Sequence, residues 1–336
     1  MRTLVISDLH LGARARPGVL ARPEPLRRLV EHLHGIDRLV VLGDALEAVN
    51  RRALGVAEPV LREIGRAIGS GGAIVFVPGN HDRALIRRWI RARGRALGVD
   101  DEVPRGASPT LAALTTWLGP AEVSVRYPGV WLSDRVWATH GHYLDQHLLP
   151  ESAFGVWRGL LGRPASDHAA PADYERRPSR TATTSRISGV LPGPLAAIGG
   201  SVADLLRAST MPLAPRRVLD PRMARLTSVL LGVQMRRASI PAMARVAQRL
   251  GIDADWVLFG HVHRLGPLPD ENLEQWQGPT SRPRIANSGS WVYEPLLVHR
   301  ATPPHPYWPG GAIRLEDGAD PTAIGLLDDL PARALR

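Results

Sequence analysis

The sequence predicts an α/β fold in which helices cover the faces of a parallel β-sheet. Within the first 80 residues, three short apolar runs alternate with two segments of helical periodicity, which is the rhythm of successive βαβ units. Two later apolar runs, residues 136–139 and 256–259, resume the pattern. The chain has 336 residues, of which 44% are hydrophobic, and can therefore bury a sizeable core.

The first helix is predicted between Pro25 and Gly35, after an apolar run at residues 3–7. Proline suits the first turn of a helix, and glycine often stops one. The apolar residues of this segment recur at i, i+3, i+4 and i+7, which places them on one helical face: Leu26, Leu29, Val30 and Leu33.

The second strand and helix follow in the same way. Residues 38–42 form an apolar run, and a helix is predicted to open at Pro59 and to end in the Ser-Gly-Gly of residues 70–72. A third apolar run, residues 73–77, completes a βαβαβ unit. Near residues 256–259, the segment 284–291 indicates a further strand at the same edge of the sheet.

The character of the chain changes between residues 144 and 251. Residues 162–186 are rich in Arg, Ser, Thr, Pro and Ala, which is typical of a loop or a partly ordered linker. Asp220-Pro221 and Ile240-Pro241 then introduce helical segments. We therefore expect a core of residues 1–145 and 251–299, and a helical insertion of residues 146–250 with a flexible part at 162–186. Residues 300–336, with their Pro-rich start, are expected to be an irregular C-terminal extension.

Composition limits the possible functions. The chain has no cysteine, which excludes disulfides and thiolate metal sites. Its net charge is +10, and an excess of guanidinium groups favours phosphate, nucleic acid or anionic membranes, although a solvated basic surface is an open alternative. Neither a secretory signal nor an uninterrupted membrane-spanning segment is apparent. A cytoplasmic location is expected, with contact to the cytoplasmic face of the membrane as a further expectation.

Side chains able to bind metal ions follow five of the apolar runs. An aspartate after a strand is usually only a turn former, but five such strand ends are hard to explain by chance. In α/β sheets, sites form beyond the carboxyl ends of the strands. Oxygen and nitrogen ligands without thiolate suit Mn²⁺, Fe, Zn²⁺ or Mg²⁺. The candidate ligands are Asp8, His10, Asp44, Asn80, His140, His261 and His263.

The order of these motifs resembles the calcineurin-like metallophosphoesterase superfamily. D-x-H, G-D, G-N-H-D, a single His after a strand and G-H-x-H occur in that order, over residues 1–145 and 251–295. The resemblance implies a two-sheet sandwich core flanked by helices, with an inserted helical lid. It also implies two divalent metal ions, with Mn²⁺ the favoured choice.

The resemblance further assigns the ligands to the two ions. Asp8, His10 and His263 would hold one ion, and Asn80, His140 and His261 would hold the other. Asp44 would bridge the two, because closely spaced divalent cations need an anionic group between them. A water that bridges both ions would lose a proton and attack phosphorus in line.

Four further residues receive provisional roles. His81, oriented by Asp82, is the candidate general acid for the leaving oxygen, although it could instead only position phosphate by donating a hydrogen bond. In the segment HGHYLDQH, His142 and Asp145 are candidates for supporting the ligands or contacting substrate. A surface or packing role for His142 is equally open.

The segments SDLHLG, HGH and NSGSW and the insertion before G-H-x-H resemble the UDP-2,3-diacylglucosamine pyrophosphatase branch of the superfamily. That branch implies a helical lid that receives acyl chains at a membrane surface. Residues 195–206 and 223–231 are apolar and edged by arginines, which suits an anionic interface or simple packing of the lid. Two features depart from the branch: the insertion is longer, and His81 stands where arginine is common.

The sequence therefore favours a phosphodiesterase or pyrophosphatase that acts on a nucleotide-linked or lipid-like substrate. Its expected partners are a phosphorylated small molecule or lipid and, peripherally, an anionic membrane. A general phosphomonoesterase and a nuclease are alternatives, and a non-catalytic scaffold is a remote one. Nucleic acid is a less favoured partner, because the sequence shows no basic groove rich in aromatic residues.

Overall fold

Two β-sheets pack face to face in the computed structural model, which describes residues 1–13, 18–147, 168–176, 238–278, 282–298 and 300–336. The strands of the first sheet are β1 (Arg2–Ile6), β2 (Arg38–Val41), β3 (Ala73–Phe76), β4 (Asp101–Glu102), β5 (Glu122–Tyr127), β11 (Gly311–Glu316) and β12 (Thr322–Gly325). Those of the second are β6 (Gly129–Ser133), β7 (Val136–Thr139), β8 (Trp256–Phe259), β9 (Leu265–Gly266) and β10 (Arg284–Ser288).

The first sheet has the strand order β12-β11-β1-β2-β3-β5-β4. Strands β1, β2, β3 and β5 are parallel to their neighbours in this series, which confirms the βαβαβ unit predicted for the first 80 residues. The outer strands β11, β12 and β4 run antiparallel. The carboxyl ends of β1, β2 and β3 therefore lie side by side at one edge.

The second sheet has the strand order β6-β7-β8-β10-β9. Its central strands β7, β8 and β10 are parallel, while β6 and β9 are antiparallel to their neighbours. The strand expected in the segment 284–291 is β10, which pairs with β8. The two-sheet architecture implied by the family resemblance is confirmed as well.

The core has three apolar layers. Between the sheets, short branched side chains such as Val5, Val40 and Val75 meet Leu258 and Ala286 of the second sheet. The outer face of the first sheet is covered by the helices α1 (Pro23–Leu33), α2 (Arg51–Ile68) and α4 (Pro109–Trp117). A further helix, α3 (Arg87–Arg93), follows the loop after β3. None of the helices within the described ranges is both long and apolar enough to cross a membrane.

Helix α2 begins earlier than the sequence indicated. We expected it to open at Pro59, but it begins at Arg51, and Pro59 lies inside it. The side chain of Asn50 accepts a hydrogen bond from the backbone N–H of Ala53 at 3.0 Å and so caps the helix. This cap and the buried apolar face of the helix outweigh the backbone hydrogen bond that proline cannot make.

The C-terminal region is not the irregular extension that we expected. Strand β11 pairs antiparallel with β1, with Val5 opposite Ile313, and β12 pairs with β11. The segment before β11 is rich in proline, and this local composition hid a strand whose side chains Ala312 and Ile313 are fully buried. The two-sheet core therefore includes strands near the end of the chain.

Only parts of the predicted insertion are described. Helix α5 (Pro171–Arg176) lies inside the segment expected to be a flexible loop, and α6 (Ile240–Arg249) packs on the outer face of the second sheet. The predicted start of α6 at Ile240-Pro241 agrees with the structure. The apolar segments 195–206 and 223–231 and the Asp220-Pro221 helix start lie outside the described residues.

The close packing of α2 on the loop after α4 leads to a first prediction. A Cβ at Gly65 would lie 2.3 Å from the carbonyl oxygen of Leu118, whereas a Cβ at Gly55 would meet nothing within 4 Å. Gly65→Ala should therefore lower the free energy of unfolding by about 1–3 kcal/mol. Gly55→Ala, in the same helix, should raise it by about 0.5–1 kcal/mol. Urea unfolding of both variants measures this, and equal effects would show that the contact with Leu118 is unimportant.

Candidate metal centre

The ligand candidates lie in loops whose backbone turns sharply just after a strand. Asp8 and His10 after β1, Asp44 after β2, and His261 and His263 after β8 all have positive φ angles, between 45° and 68°. This left-handed region is unfavourable for residues other than glycine and costs on the order of 1–3 kcal/mol each. Such residues cluster at functional sites, where the surrounding structure holds them in place.

Backbone hydrogen bonds between the loops hold these turns. The N–H of Asp8 donates to the carbonyl of Gly43 at 3.0 Å, and the N–H of His10 donates to the carbonyl of Asp44 at 2.9 Å. The carbonyl of Asp8 accepts from the N–H of Trp291 at 3.1 Å. The loops after β1, β2 and β10 are therefore joined into one unit before any metal binds.

The first group of ligand candidates is Asp8, His10 and His263, the set that the family resemblance assigns to one ion. The Nε2 atom of His263 lies 3.3 Å from Oδ1 of Asp8 and 3.2 Å from Nε2 of His10. Asp8 is fully buried, and its Oδ1 has no hydrogen-bond partner within the described chain. An unpaired buried carboxylate oxygen that faces two imidazoles fits a divalent cation.

The second group is Asp44, His140 and His261. The Nε2 atom of His140 lies 3.3 Å from Oδ2 of Asp44 and 3.0 Å from Oδ1 of Asn80. The structure thus brings Asn80 to the same group.

Asp44 also belongs to a third group with His10 and His81. Its Oδ2 lies 3.9 Å from Nε2 of His10 and 4.0 Å from Nε2 of His81, in addition to its contact with His140. The carboxylate therefore lies between the first and second groups, where a ligand that bridges two ions belongs.

Contacts behind the ligands fix their orientation. The Nδ1 atom of His140 lies 3.0 Å from the carbonyl oxygen of Leu42, and Nδ1 of His10 lies 2.8 Å from Oε2 of Glu47. Such partners set the imidazole tautomer and leave the other nitrogen for metal. Gly43 has φ +87°, and a Cβ there would lie 2.3 Å from Nδ1 of His140. Only glycine leaves room for this ring.

The calcineurin-like phosphoesterase family model matches residues 1–170 of the 336. The chain belongs to this family. A comparison with curated proteins gave no match. Among solved structures, a nuclease of Pseudomonas putida, MPE, is 24% identical, over 41% of this chain and 52% of that one, with a TM-score of 0.25. The match thus spans about half of that nuclease.

Members of the calcineurin-like family depend on two metal ions, and the three groups give this phosphoesterase the side chains to hold them. The seven predicted ligands lie in these groups or contact one of their members. Glu47, which contacts His10, was not predicted. It lies three residues after Asp44 in an ordinary helix-forming sequence, and no local signal distinguishes it.

His81 lies at the mouth of the centre, with a side chain that is 30% exposed. Its backbone N–H donates to Oδ1 of Asp44 at 2.9 Å, and its ring Nδ1 lies 2.6 Å from the carbonyl oxygen of Glu47. The Nε2 atom is the one that faces the Asp44 carboxylate. The ring is thus held by a main-chain carbonyl, and its second nitrogen is directed at the ligand groups.

Asp82 does not orient His81, contrary to our expectation. It is fully buried, and its carboxylate accepts three backbone hydrogen bonds at 3.1 Å, from Ala45, Leu46 and Gly79. Asp82 therefore ties the loop after β2 to the loop after β3. Asp82 and His81 are neighbours along the chain, but the main chain turns their side chains to different partners.

Asp145 and His142 lie next to members of the second group. Oδ1 of Asp145 lies 2.8 Å from Nε2 of His261, so it supports that ligand. The ring of His142 lies 5.7 Å from the ring of His140, centroid to centroid, and its Nε2 lies 3.3 Å from the hydroxyl of Tyr127. The structure thus places His142 in the buried wall of the centre rather than at the surface.

Glu175 of helix α5 completes this wall and was not predicted. Its buried carboxylate accepts hydrogen bonds from the hydroxyls of Tyr127 and Tyr143, the latter at 2.9 Å, and from Arg83 at 2.7 Å. Burial raises the pKa of Glu175, but His142, Tyr127 and Arg83 outweigh it and lower the pKa to about 2. A residue of the insertion thus contributes an ionised group beside the metal ligands.

The electrostatics of the metal-free centre couple carboxylates to imidazoles. Burial alone would raise the pKa of Asp44, but His140 and His81 hold it well below its usual range. Burial lowers the pKa of His140, yet the charge of Asp44 outweighs it and raises the pKa to about 9. At neutral pH, therefore, the protonated imidazole of His140 offsets the charge of the ionised Asp44 carboxylate, a role that metal cations would take in the loaded enzyme.

This coupling predicts a pH-dependent metal affinity. Because His140 has a pKa of about 9 in the metal-free state, a metal ion must displace its proton, and the apparent affinity for Mn²⁺ should rise between about pH 6 and pH 9. Calorimetric titration with Mn²⁺ at pH 7, in two buffers of different ionisation heat, counts the released protons. The absence of proton release would show that His140 is already neutral or is not a ligand.

The contacts of Asp82 give a further prediction. In Asp82→Asn, an amide N–H₂ would face a backbone N–H, and the loss of at least one buried hydrogen bond should lower the free energy of unfolding by about 1–3 kcal/mol. Asp134→Asn, in the exposed turn between β6 and β7, should change it by less than about 0.5 kcal/mol. Urea unfolding measures both. A stable Asp82→Asn variant that is slowed only on esters with poor leaving groups would instead show that Asp82 orients His81.

Proposed function

We propose that this chain is a dinuclear-metal-dependent phosphodiesterase or pyrophosphatase. The observation that carries the proposal is the position of Asp44. Its carboxylate forms one group with His140 and His261 and also faces His10, which belongs to the group with Asp8 and His263. A carboxylate shared by two sets of neutral and anionic ligands is the arrangement that two divalent cations require. Family membership supports the same reaction class.

Asp8, His10 and His263 would hold one ion, Asn80, His140 and His261 would hold the other, and Asp44 would contact both. When bound, two divalent ions neutralise phosphate oxygens and lower the pKa of a coordinated water. Oxygen and imidazole ligands without thiolate favour Mn²⁺ or Fe over softer ions, and Mn²⁺ is the ion that we propose. Zn²⁺ and Mg²⁺ are the alternatives to be tested beside it.

His81 is the residue that we propose as general acid. Its exposed position at the mouth and the Nε2 atom that faces the ligand groups suit the donation of a proton to a departing oxygen. The carbonyl of Glu47 accepts from the other ring nitrogen and would keep the ring in place as the proton moves. In the alternative, His81 has the same position but only donates a hydrogen bond to phosphate. The loss of rate on removing His81 would then be the same for good and poor leaving groups.

We propose a nucleotide-linked phosphodiester or diphosphate as the substrate. The partly exposed side chain of His81 faces the ligand groups and can donate a hydrogen bond to a phosphate oxygen, which favours an anionic substrate. The lipid-like substrate, the peripheral membrane contact and the diacylglucosamine pyrophosphatase branch depend on segments 195–206 and 223–231, which lie outside the described residues. They stay predictions from the sequence.

The proposal predicts different losses in two variants. Asp44→Ala should reduce Mn²⁺-dependent turnover of bis-nitrophenyl phosphate by on the order of 10²-fold or more, because both ligand groups lose a shared anion. His81→Ala should slow diesters with poor alkoxide leaving groups by about 10²–10⁴-fold but slow the nitrophenyl ester far less. Steady-state kinetics with a panel of diesters, monoesters, and nucleotide-sugar diphosphates with and without acyl chains measures both.

Asp134→Ala is the matched control, since it removes an exposed carboxylate that lies before β7, at the opposite end of that strand from His140. Equal losses in His81→Ala for good and poor leaving groups would remove the acid role. Wild-type protein that binds no stoichiometric metal and turns over no substrate would instead support the non-catalytic scaffold.

A further inference from the structure

Several arginines in the described helices are paired with nearby acids. In α1, Arg27 contacts both Glu24 and Glu31. In α2, Arg62 contacts Glu58 and Arg66 contacts Glu63. These i±3 and i±4 pairs offset the charge of each guanidinium within its own helix, so the overall excess of arginine is not spread evenly over the surface.

Helix α3 is different, because it contains no acidic residue of its own, and its Arg93 pairs with Asp101 beyond the helix. Six arginines and no acidic residue lie between Asp82 and Asp100. Arg87, Arg88 and Arg91 are exposed and form no ion pair in the described part of the chain. Their i, i+3 and i, i+4 spacing places them on one helical face, where like charges repel. Repulsion between these arginines destabilises the helix, and a bound anion would reduce that repulsion.

Two further arginines have the same properties at the start of α2. Arg51 and Arg52 are exposed, form no ion pair among the described residues, and occupy a first turn without an acidic residue. Cations at this end of a helix oppose the helix dipole. We refer to these five residues as the arginine rim: Arg51, Arg52, Arg87, Arg88 and Arg91.

The arginine rim begins at the catalytic edge of the first sheet. The loop after β2 carries Asp44 and Glu47, and Arg51 follows Glu47 by four residues. The loop after the neighbouring parallel strand β3 carries His81, and α3 begins six residues later. Both arginine segments therefore leave the same edge of the sheet at which the metal ligands converge.

The partner that suits the rim is a chain of phosphates rather than a lipid surface. Binding to an anionic membrane needs exposed apolar side chains beside the cations. The large exposed apolar residues among those described are Met1 and Leu273, and neither belongs to the loops or helices after β2 and β3. Nucleic-acid backbones, in contrast, are bound by unpaired guanidinium groups alone.

We propose that the arginine rim binds the phosphate backbone of a single-stranded nucleic acid next to its scissile phosphate. This inference rests on the proposed function and names its substrate class. Four of the candidate ligands are buried, with Asp8 and His140 at 0% exposure, so the phosphate must reach into a recess to approach them. A flexible single strand can bend into such a recess, whereas a stiff duplex cannot.

The test compares two triple variants of equal charge. Arg87→Gln/Arg88→Gln/Arg91→Gln removes three rim arginines, and Arg27→Gln/Arg62→Gln/Arg66→Gln removes three paired arginines. Binding of a labelled single-stranded oligonucleotide is measured by fluorescence anisotropy in the full-length Asp44→Asn background, which prevents cleavage. The rim variant should bind about 10-fold or more weakly, and its slope of log K against log salt should fall by about 2, since each single-strand phosphate contact contributes about 0.7. The control should retain the wild-type slope.

A cleavage assay distinguishes the failure of this proposal from the failure of the proposed function. In the otherwise wild-type enzyme with Mn²⁺, the rim variant should lose kcat/KM for the oligonucleotide while keeping its turnover of bis-nitrophenyl phosphate. An enzyme that turns over bis-nitrophenyl phosphate but binds the oligonucleotide equally well with and without the rim would overturn the rim proposal alone. Equal losses of oligonucleotide binding in both triple variants would also overturn it. So would a rim variant that loses binding to phosphatidylglycerol vesicles but still binds the oligonucleotide. No turnover of any ester by wild type would overturn the proposed function, and the anisotropy result would still decide the rim.

Discussion

The buried carboxylate of Asp44 is the group around which the other parts of the centre are arranged. One of its oxygens accepts a hydrogen bond from the backbone of His81, and the other faces His10, His81 and His140. An ionised group in a low-dielectric interior is unfavourable unless cations or hydrogen-bond donors surround it. The left-handed turns, the glycines that leave room for imidazoles and the loop contacts of Asp82 all serve to bring such partners within reach.

The location of the site could be predicted because it follows from how strands end. Parallel strands that run in one direction deliver their last residues to one edge, so Asp8, Asp44 and Asn80 of the first sheet were expected to meet once its strands were recognised. His261 follows β8 of the second sheet, and its position beside them was implied by the family resemblance. Periodicity identified β1, β2, β3 and β8 for the same reason, since each is a short apolar run closed by a polar residue. The assignment of ligands to two ions came from the family resemblance and not from this pattern.

Other features depended on tertiary contacts that no local pattern encodes. Glu47 and Glu175 reach the centre through loops and helices whose sequences resemble ordinary surface segments. Asp82 is adjacent to His81 in sequence, yet the main chain directs its carboxylate to the backbone of two loops. The strands β11 and β12 were missed because a Pro-rich segment precedes them. Composition gives the net charge, but it does not show which arginines form ion pairs with acidic residues.

The pairing of β11 with β1 has a consequence for how the protein is made. Strand β1 is followed by the first candidate metal ligands. It lies between β2, which follows soon after it, and β11, which comes some 300 residues later. While the ribosome is still translating the intervening chain, one side of β1 exposes unpaired main-chain groups, and such an edge invites pairing with other chains. The nascent protein must therefore protect this edge until residues 311–316 emerge, and a truncated product that lacks them would be prone to aggregate even though every metal ligand had already been synthesised.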